Sequence, residues 1–319
     1  MNPAMKVICL NGGTPPRLIE SVRPRPVPGR DEVLVRVCAA GVMLTELSWY
    51  PTTHTRGGGS RQGGVPGHDF SGAVVAVGEG ADASWIGREV FGMNDWYADG
   101  AMAEYCTAPL QAVAPKPRSL THAQAAAVPI SALTAWQGLF DHAKLEPGER
   151  VLVHGGAGAV GVFAIQLARL HGARVFATAS REDLALVSSL GAEQVIDYQR
   201  SRFEDFVPEV DVVFDTVGGE TQSRSWNVLG ANGRLITVVS TAEQSTDPRV
   251  KAAFFIVVPD QKQLTEIAAL LDTERLRPVL SAVVPLSEAP DFYSGRIKKT
   301  GPGKIVATVS CDTAAGSAS

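Results

Sequence analysis

The chain has 319 residues, 45% hydrophobic and 19% charged, and its 29 basic against 33 acidic residues leave a net charge of -4. This is too long for one ordinary core and too apolar for extensive disorder, so two folded domains are expected. No basic block invites nucleic acid or an anionic membrane, and the apolar runs fall far short of the ~20 residues that cross a bilayer. Cys9, Cys38, Cys106 and Cys311 are scattered without a Cys-x-x-Cys pair. Their spacing suggests neither a disulfide framework nor a thiolate metal knuckle. With no signal-peptide pattern over Met1 to Met5, a reducing, cytoplasmic setting is the expectation.

Residues 1–124 read as β-rich. Runs such as Glu32-Val33-Leu34-Val35-Arg36-Val37 and Gly72-Ala73-Val74-Val75-Ala76-Val77 are separated by Pro/Gly turns such as Arg23-Pro24-Arg25-Pro26-Val27-Pro28-Gly29. From 125 to 256, apolar strands alternate with helical stretches, as a doubly wound parallel sheet requires. Residues 257–310 hold an amphipathic helix from Gln261 to Leu271 and a closing strand, Gly303 to Val309, assigned back to the first domain. The small, polar end from Cys311 to Ser319 is expected to be disordered. The predicted fold is α/β, a Rossmann-type sheet inserted into a β-rich, partly barrel-like catalytic domain.

Within the central region, the strand Val151-Leu152-Val153-His154 runs into Gly156-Ala157-Gly158-Ala159-Val160-Gly161 and then a helix. This Gly-x-Gly-x-x-Gly spacing reads as a dinucleotide cradle. Gly156 is assigned the tight turn, Gly158 the close approach of backbone to phosphate, and Gly161 the packing of helix on strand. Alone the motif is weak, but the next strand, Ala173 to Ala179, completes a βαβ unit of about 30 residues. At the tip of that second strand an NAD site usually offers an acid, whereas Ser180 and Arg181 offer a hydroxyl and a cation suited to a 2′-phosphate. NADPH is therefore the expected cofactor, against a reading in which Arg181 is merely solvated and Glu182 or Asp183 turns to the ribose. Tyr198, after the third apolar run, is a candidate to stack beside the adenine.

In this order, Gly67-His68-Asp69-Phe70-Ser71-Gly72, Asp99 to Tyr105, Leu133-Thr134-Ala135-Trp136, the glycine turn, Phe214 to Gly219 and Gly303-Lys304-Ile305-Val306 resemble the medium-chain dehydrogenase/reductase superfamily. The resemblance spans essentially the whole chain and is strongest to the zinc-free, quinone oxidoreductase-like branch, typified by zeta-crystallin. It implies a GroES-like catalytic domain around the cofactor domain.

Zinc-dependent members hold their metal with a Cys, the His of Gly-His-Glu and a later Cys. Met43 stands at the first position, only His68 survives, and no Cys lies near Pro129 to Trp136 for the third. A site of His68, Asp69 and Glu46 is a poor zinc set, so no metal is expected.

Without a Lewis acid, ionising an alcohol is difficult, while an already polarised quinone or enone accepts hydride at carbon. The resemblance accordingly implies NADPH-dependent reduction of a quinone or an α,β-unsaturated carbonyl, including enals and enoyl thioesters. It places Thr45 where a proton relay begins in zinc enzymes and makes Tyr50 a candidate proton donor. It assigns cofactor contacts to Thr134, Gly156, Ala157, Gly158, Ala159, Val160, Thr216, Val217, Ser240, Thr241, Phe255, Ile256 and Val257, with Lys304 as a phosphate partner.

The loop Thr55 to Gly64, half of it glycine, reads either as a surface loop or as a lid carrying Arg56 and Arg61 toward an acidic acceptor. Two alternative functions are a zinc-independent alcohol or ketone reductase and a non-catalytic NADPH-binding protein. The apolar run Phe254 to Val258 is expected to be an edge strand that pairs two copies into a homodimer.

Overall fold

A computed structural model describes residues 3–12 and 17–309, so the expectation for the end from Cys311 lies outside the described residues. The strands are β1 (Ala4–Leu10), β2 (Leu18–Pro24), β3 (Glu32–Val42), β4 (Asp69–Val77), β5 (Glu89–Met93), β6 (Tyr105–Pro109) and β7 (Val113–Pro115). They continue with β8 (Arg150–His154), β9 (Arg174–Ala179), β10 (Gln194–Asp197), β11 (Val210–Asp215), β12 (Leu229–Thr237), β13 (Leu280–Pro285) and β14 (Lys304–Thr308). Strands β1 and β2 form a separate antiparallel pair.

The middle of the chain forms a parallel sheet in the order β10-β9-β8-β11-β12. Val151, Leu152, Val153, Val212, Val213 and Phe214 on its central strands are wholly buried, as a sheet covered on both faces demands. The strand order reverses between β8 and β11. Their carboxyl ends, His154 and Asp215, therefore flank the crevice where a doubly wound sheet receives its ligand.

The second sheet runs β13-β14-β3-β4-β5-β7, with β6 also on β3. Strand β14 comes from the end of the chain yet pairs antiparallel with β3, so Ile305 faces Val42 and Thr308 faces Ala39. This return brings the last residues of the chain beside the segment that follows β3. The next residue back, Gly303, donates its N–H to the Ala157 carbonyl at 2.8 Å and docks this sheet on the glycine turn of the other.

Two sequence expectations are corrected. Residues 254–258 do not form an edge strand: Phe254 makes one bridge, to Thr237, and the segment then leaves the sheet. Side chains take its polar groups instead, with Trp96 Nε1 donating to Val257 O at 3.1 Å and Gln137 Nε2 to Val258 O at 2.8 Å. Cys38, moreover, is disulfide-bonded, whereas Cys9 and Cys106 are free thiols.

Candidate active site

The glycine turn is shaped as a cradle, although its left-handed residue is Gly155 (φ 72°) and not Gly156. Gly156 instead sits where a Cβ would lie 3.1–3.2 Å from Ile165, Ala177 and Val187, so its smallness serves close packing. At Gly161 a Cβ would come 2.2 Å from the Gly155 carbonyl, which confirms the need for glycine where the helix Gly161–Leu170 meets β8. Gly158 faces open space apart from that carbonyl at 3.1 Å, and no side chain caps the helix start. Bare backbone beside an uncapped helix N-terminus fits a nicotinamide dinucleotide's diphosphate.

Around this cradle the expected contacts divide into open and committed groups. Ser240, Thr241, Val217, Ile256 and Tyr198 are exposed, while Ala157, Ala159 and Val160 are partly so. Thr134 is buried with its hydroxyl donating to Ile130 O at 2.6 Å, and the Thr216 hydroxyl donates to His154 O at 2.8 Å. Phe255 and Val257 are buried, Phe255 stacking on His142 at 4.3 Å. At the tip of β9, Ser180 Oγ donates to Asp183 Oδ2 at 2.8 Å, which engages the nearest buried-side carboxylate, while Arg181 projects outward. Half-buried Lys299, which motif reading missed, lies in the field of Asp183 and Lys304. Burial holds its ammonium below the usual lysine range, with Asp183 opposing.

Lys304 does not reach outward as a phosphate partner would. It is 3% exposed and forms an ion pair with Asp69, with Ser131 Oγ a further 3.4 Å contact. Tyr50 is 54% exposed and stacks on His54, so it points away from the buried groups, and Thr45 is exposed on the short turn that follows β3. The Gly-rich loop is tethered. Arg61 is partly buried and donates to Pro51, Trp96, Ala98 and Asp99, and Arg56 pairs with Asp95 over the Tyr97 ring. Neither arginine is therefore available to an acidic acceptor in this arrangement.

The buried polar centre lies instead on Glu46, His68 and Tyr293. Gly67 takes φ 83°, where a Cβ would also lie 2.8 Å from the Met102 side chain, and its N–H donates to Glu46 Oε1 at 2.9 Å. His68 Nδ1 lies 2.8 Å from the same oxygen, and Tyr293 donates to Glu46 Oε2 at 3.0 Å. Glu46 is 0% and His68 1% exposed, and among the described residues His68 Nε2 has no partner. Trp96 covers the imidazole at 5.2 Å between ring centres and meets Trp49 edge to face. Burial, then the neighbouring Glu46 charge, pushes the Tyr293 phenol well above its ordinary range.

Zinc does not fit this donor set. The only imidazole has Nδ1 engaged by Glu46, Asp69 is committed to Lys304, and Met43 offers a weak thioether ligand. Among the described residues no group of three His, Cys, Asp or Glu converges as metal ligands.

Comparison with known proteins is consistent with this geometry. Residues 29–118 match the alcohol dehydrogenase GroES-like domain and residues 190–306 the family described as zinc-binding dehydrogenase. The chain is 33% identical to a 2-methylene-furan-3-one reductase of Solanum lycopersicum, over 86% of this chain and 71% of that one. It is 30% identical to a quinone oxidoreductase of Rattus norvegicus, over 88% and 90% of the respective chains. A solved quinone oxidoreductase from Coxiella burnetii superposes with a TM-score of 0.86 at 29% identity, covering 97% of this chain and all of that one. The chain is thus an oxidoreductase of the medium-chain dehydrogenase/reductase superfamily, in its quinone oxidoreductase-like branch, built for a nicotinamide cofactor and a small-molecule substrate.

Proposed function

We propose that the protein reduces a quinone or an α,β-unsaturated carbonyl with NADPH and without zinc. The observation that carries this reading is the pairing of an open glycine cradle with a buried centre that has lost its metal ligands and kept one imidazole. Relatives named for quinone, alkenal and methylene-furanone reduction support the acceptor class.

When bound, the reduced nicotinamide supplies the hydride. Gly158, Ala159 and Val160 would hold the diphosphate, Ser180 and Arg181 the 2′-phosphate, and Phe255 to Val257 the nicotinamide edge, with Thr216, Val217, Ser240 and Thr241 lining the crevice. Holding donor and acceptor carbons in line is the protein's main contribution to rate. Thr45, at the mouth of the site, is available to a substrate or ribose hydroxyl. A homodimer through the face that exposes Val258, and a cytoplasmic location, complete the reading. Among the described residues no helix is long and apolar enough to cross a membrane.

The test is loss of NADPH absorbance by chelator-treated protein with benzoquinone, phenanthrenequinone, alkenals and an enoyl thioester, with NADH in parallel. Turnover preferring NADPH, lost toward NADH parity in Arg181→Ala, is expected. NADH preference or turnover only on secondary alcohols would overturn it.

A further inference from the structure

We propose that His68, positioned by Glu46, binds the acceptor's carbonyl oxygen through Nε2 and protonates it during hydride transfer. This rests on the reduction proposed above and gives the imidazole that remains at the Gly-His position the role of its acid. A buried polar atom ordinarily finds a partner, and one left without one costs roughly 1–3 kcal/mol. His68 Nε2 is such an atom, in a ring that is 1% exposed.

The rest of the centre explains why the ring is set this way. Nδ1 is held 2.8 Å from Glu46 Oε1, and Glu46 is itself fixed by the Gly67 N–H and the Tyr293 hydroxyl. With Nδ1 engaged, Nε2 is the ring position left for a ligand. Asp69, on the adjoining residue, is neutralised by Lys304 and does not compete. The cover over the imidazole is Trp96, whose indole N–H bonds the carbonyl of Val257 on the segment assigned to the nicotinamide edge. Nε2 is closed off in this arrangement, so a planar acceptor reaches it only when Trp96 or Trp49 moves aside, its oxygen then meeting Nε2.

In the step, a C–H bond forms at the β-carbon of the enone as hydride arrives. The C=C pair shifts to give an enolate, and the carbonyl oxygen takes the Nε2 proton. The Nε2–H bond breaks, an O–H bond forms, and the imidazole is left neutral until solvent restores its proton. The acceptor gains two electrons, which the reduced nicotinamide loses. Tyr293 holds Glu46 and is not the proton source, since its phenol is kept protonated at neutral pH.

The discriminating variant is His68→Asn, whose amide nitrogen reproduces the Nδ1 contact to Glu46 but leaves nothing at Nε2. Glu46→Gln is the companion. Wild type and variants, screened by thermal melting, are compared in turnover of an alkenal and of benzoquinone and in binding of p-nitrophenol, an enolate mimic, to cofactor-free protein by its absorbance. The expected result is at least a hundredfold loss of kcat on the alkenal in His68→Asn, consistent with the 10²–10⁴ typical of a general acid. A smaller loss on benzoquinone is expected, because its hydroquinone anion leaves more readily, together with loss of the bound p-nitrophenolate spectrum. Glu46→Gln should retain that spectrum weakly. Unchanged kcat and unchanged p-nitrophenol binding in a folded His68→Asn protein would overturn the assignment. If wild type turned over neither acceptor, the reduction reading would fail, while the p-nitrophenol arm would still decide whether Nε2 binds an oxyanion.

Discussion

Asp69 and Lys304 lie 235 positions apart in the chain and form a buried ion pair at 0% and 3% exposure. Asp69 Oδ1 also accepts the Ile130 N–H at 2.6 Å and so anchors the start of the helix Pro129–Trp136. Burial raises the Asp69 carboxyl above its ordinary range and Lys304 opposes the rise. Gly41 makes room, since a Cβ there would come 2.8 Å from Asp69 and 2.9 Å from Lys304. Removing one partner strands the other charge in the interior. Lys304→Met should therefore lose about 3–5 kcal/mol in urea unfolding. Asp69→Asn combined with Lys304→Met should recover part of that loss. If Lys304 were chiefly a cofactor-phosphate ligand, the single variant would weaken NADPH binding with little change in stability.

Two glycines of the cradle predict opposite phenotypes. A methyl group at Gly161 would meet the Gly155 carbonyl at 2.2 Å, so Gly161→Ala must move backbone and should lower the melting temperature markedly. At Gly158 the added carbon finds mostly open space, and Gly158→Ala should fold nearly normally while weakening the cofactor Kd by at least about tenfold, or about 1.4 kcal/mol. Fluorescence titration with NADPH beside thermal melting separates the two. Equal cofactor affinity in folded Gly158→Ala would place the phosphates elsewhere.

The features that local periodicity writes into the chain were legible in it. Strand, glycine turn, helix and strand follow from apolar runs and spacing, and the alternation from 125 to 256 announces a parallel sheet. What long-range contact decides was not. Glu46 meets Tyr293 across 247 positions, so no local pattern could mark that contact; His68 and Glu46 were read together only as the remnant of a poor zinc set, not as a hydrogen-bonded pair held by Tyr293. The edge strand was misread because Phe254 to Val258 has the right apolar composition, while Trp96 and Gln137, remote in sequence, claim its backbone groups. Gly155 was passed over because the motif counts glycines and not the sign of φ.

The tethered Gly-rich loop yields a third expectation. Arg61 joins it to Pro51 O at 2.9 Å, Asp99 Oδ1 at 3.1 Å and the carbonyl of Ala98. Its guanidinium spreads over several acceptors at once, a fit that lysine cannot reproduce. Arg61→Ala should release residues 55–64, seen as faster limited proteolysis within that loop and a modest loss of stability. Arg61→Lys should rescue little. Unchanged cleavage in Arg61→Ala would mean that the loop is held by other contacts.

Acid should act through His154, which closes β8 at the foot of the cradle. It is fully buried, with Nδ1 3.1 Å from Thr178 Oγ1 and Nε2 2.9 Å from Ser225 Oγ. Burial lowers its pKa to about 4, against the pull of Asp215 and Glu204. The native state thus binds this proton less readily than the unfolded chain, whose histidine titrates near 6.5. The stability held by the neutral ring is complete above that unfolded value and drains as pH falls through it toward about 4. Linkage gives a loss of about 2 kcal/mol between pH 7.5 and pH 5 from this residue. His154→Asn, which keeps polar contacts without a titrating ring, should be less stable at pH 7.5 yet lose about 2 kcal/mol less on acidification. Urea unfolding at the two pH values checks it, and an unaltered pH dependence in the variant would assign the acid sensitivity to other groups.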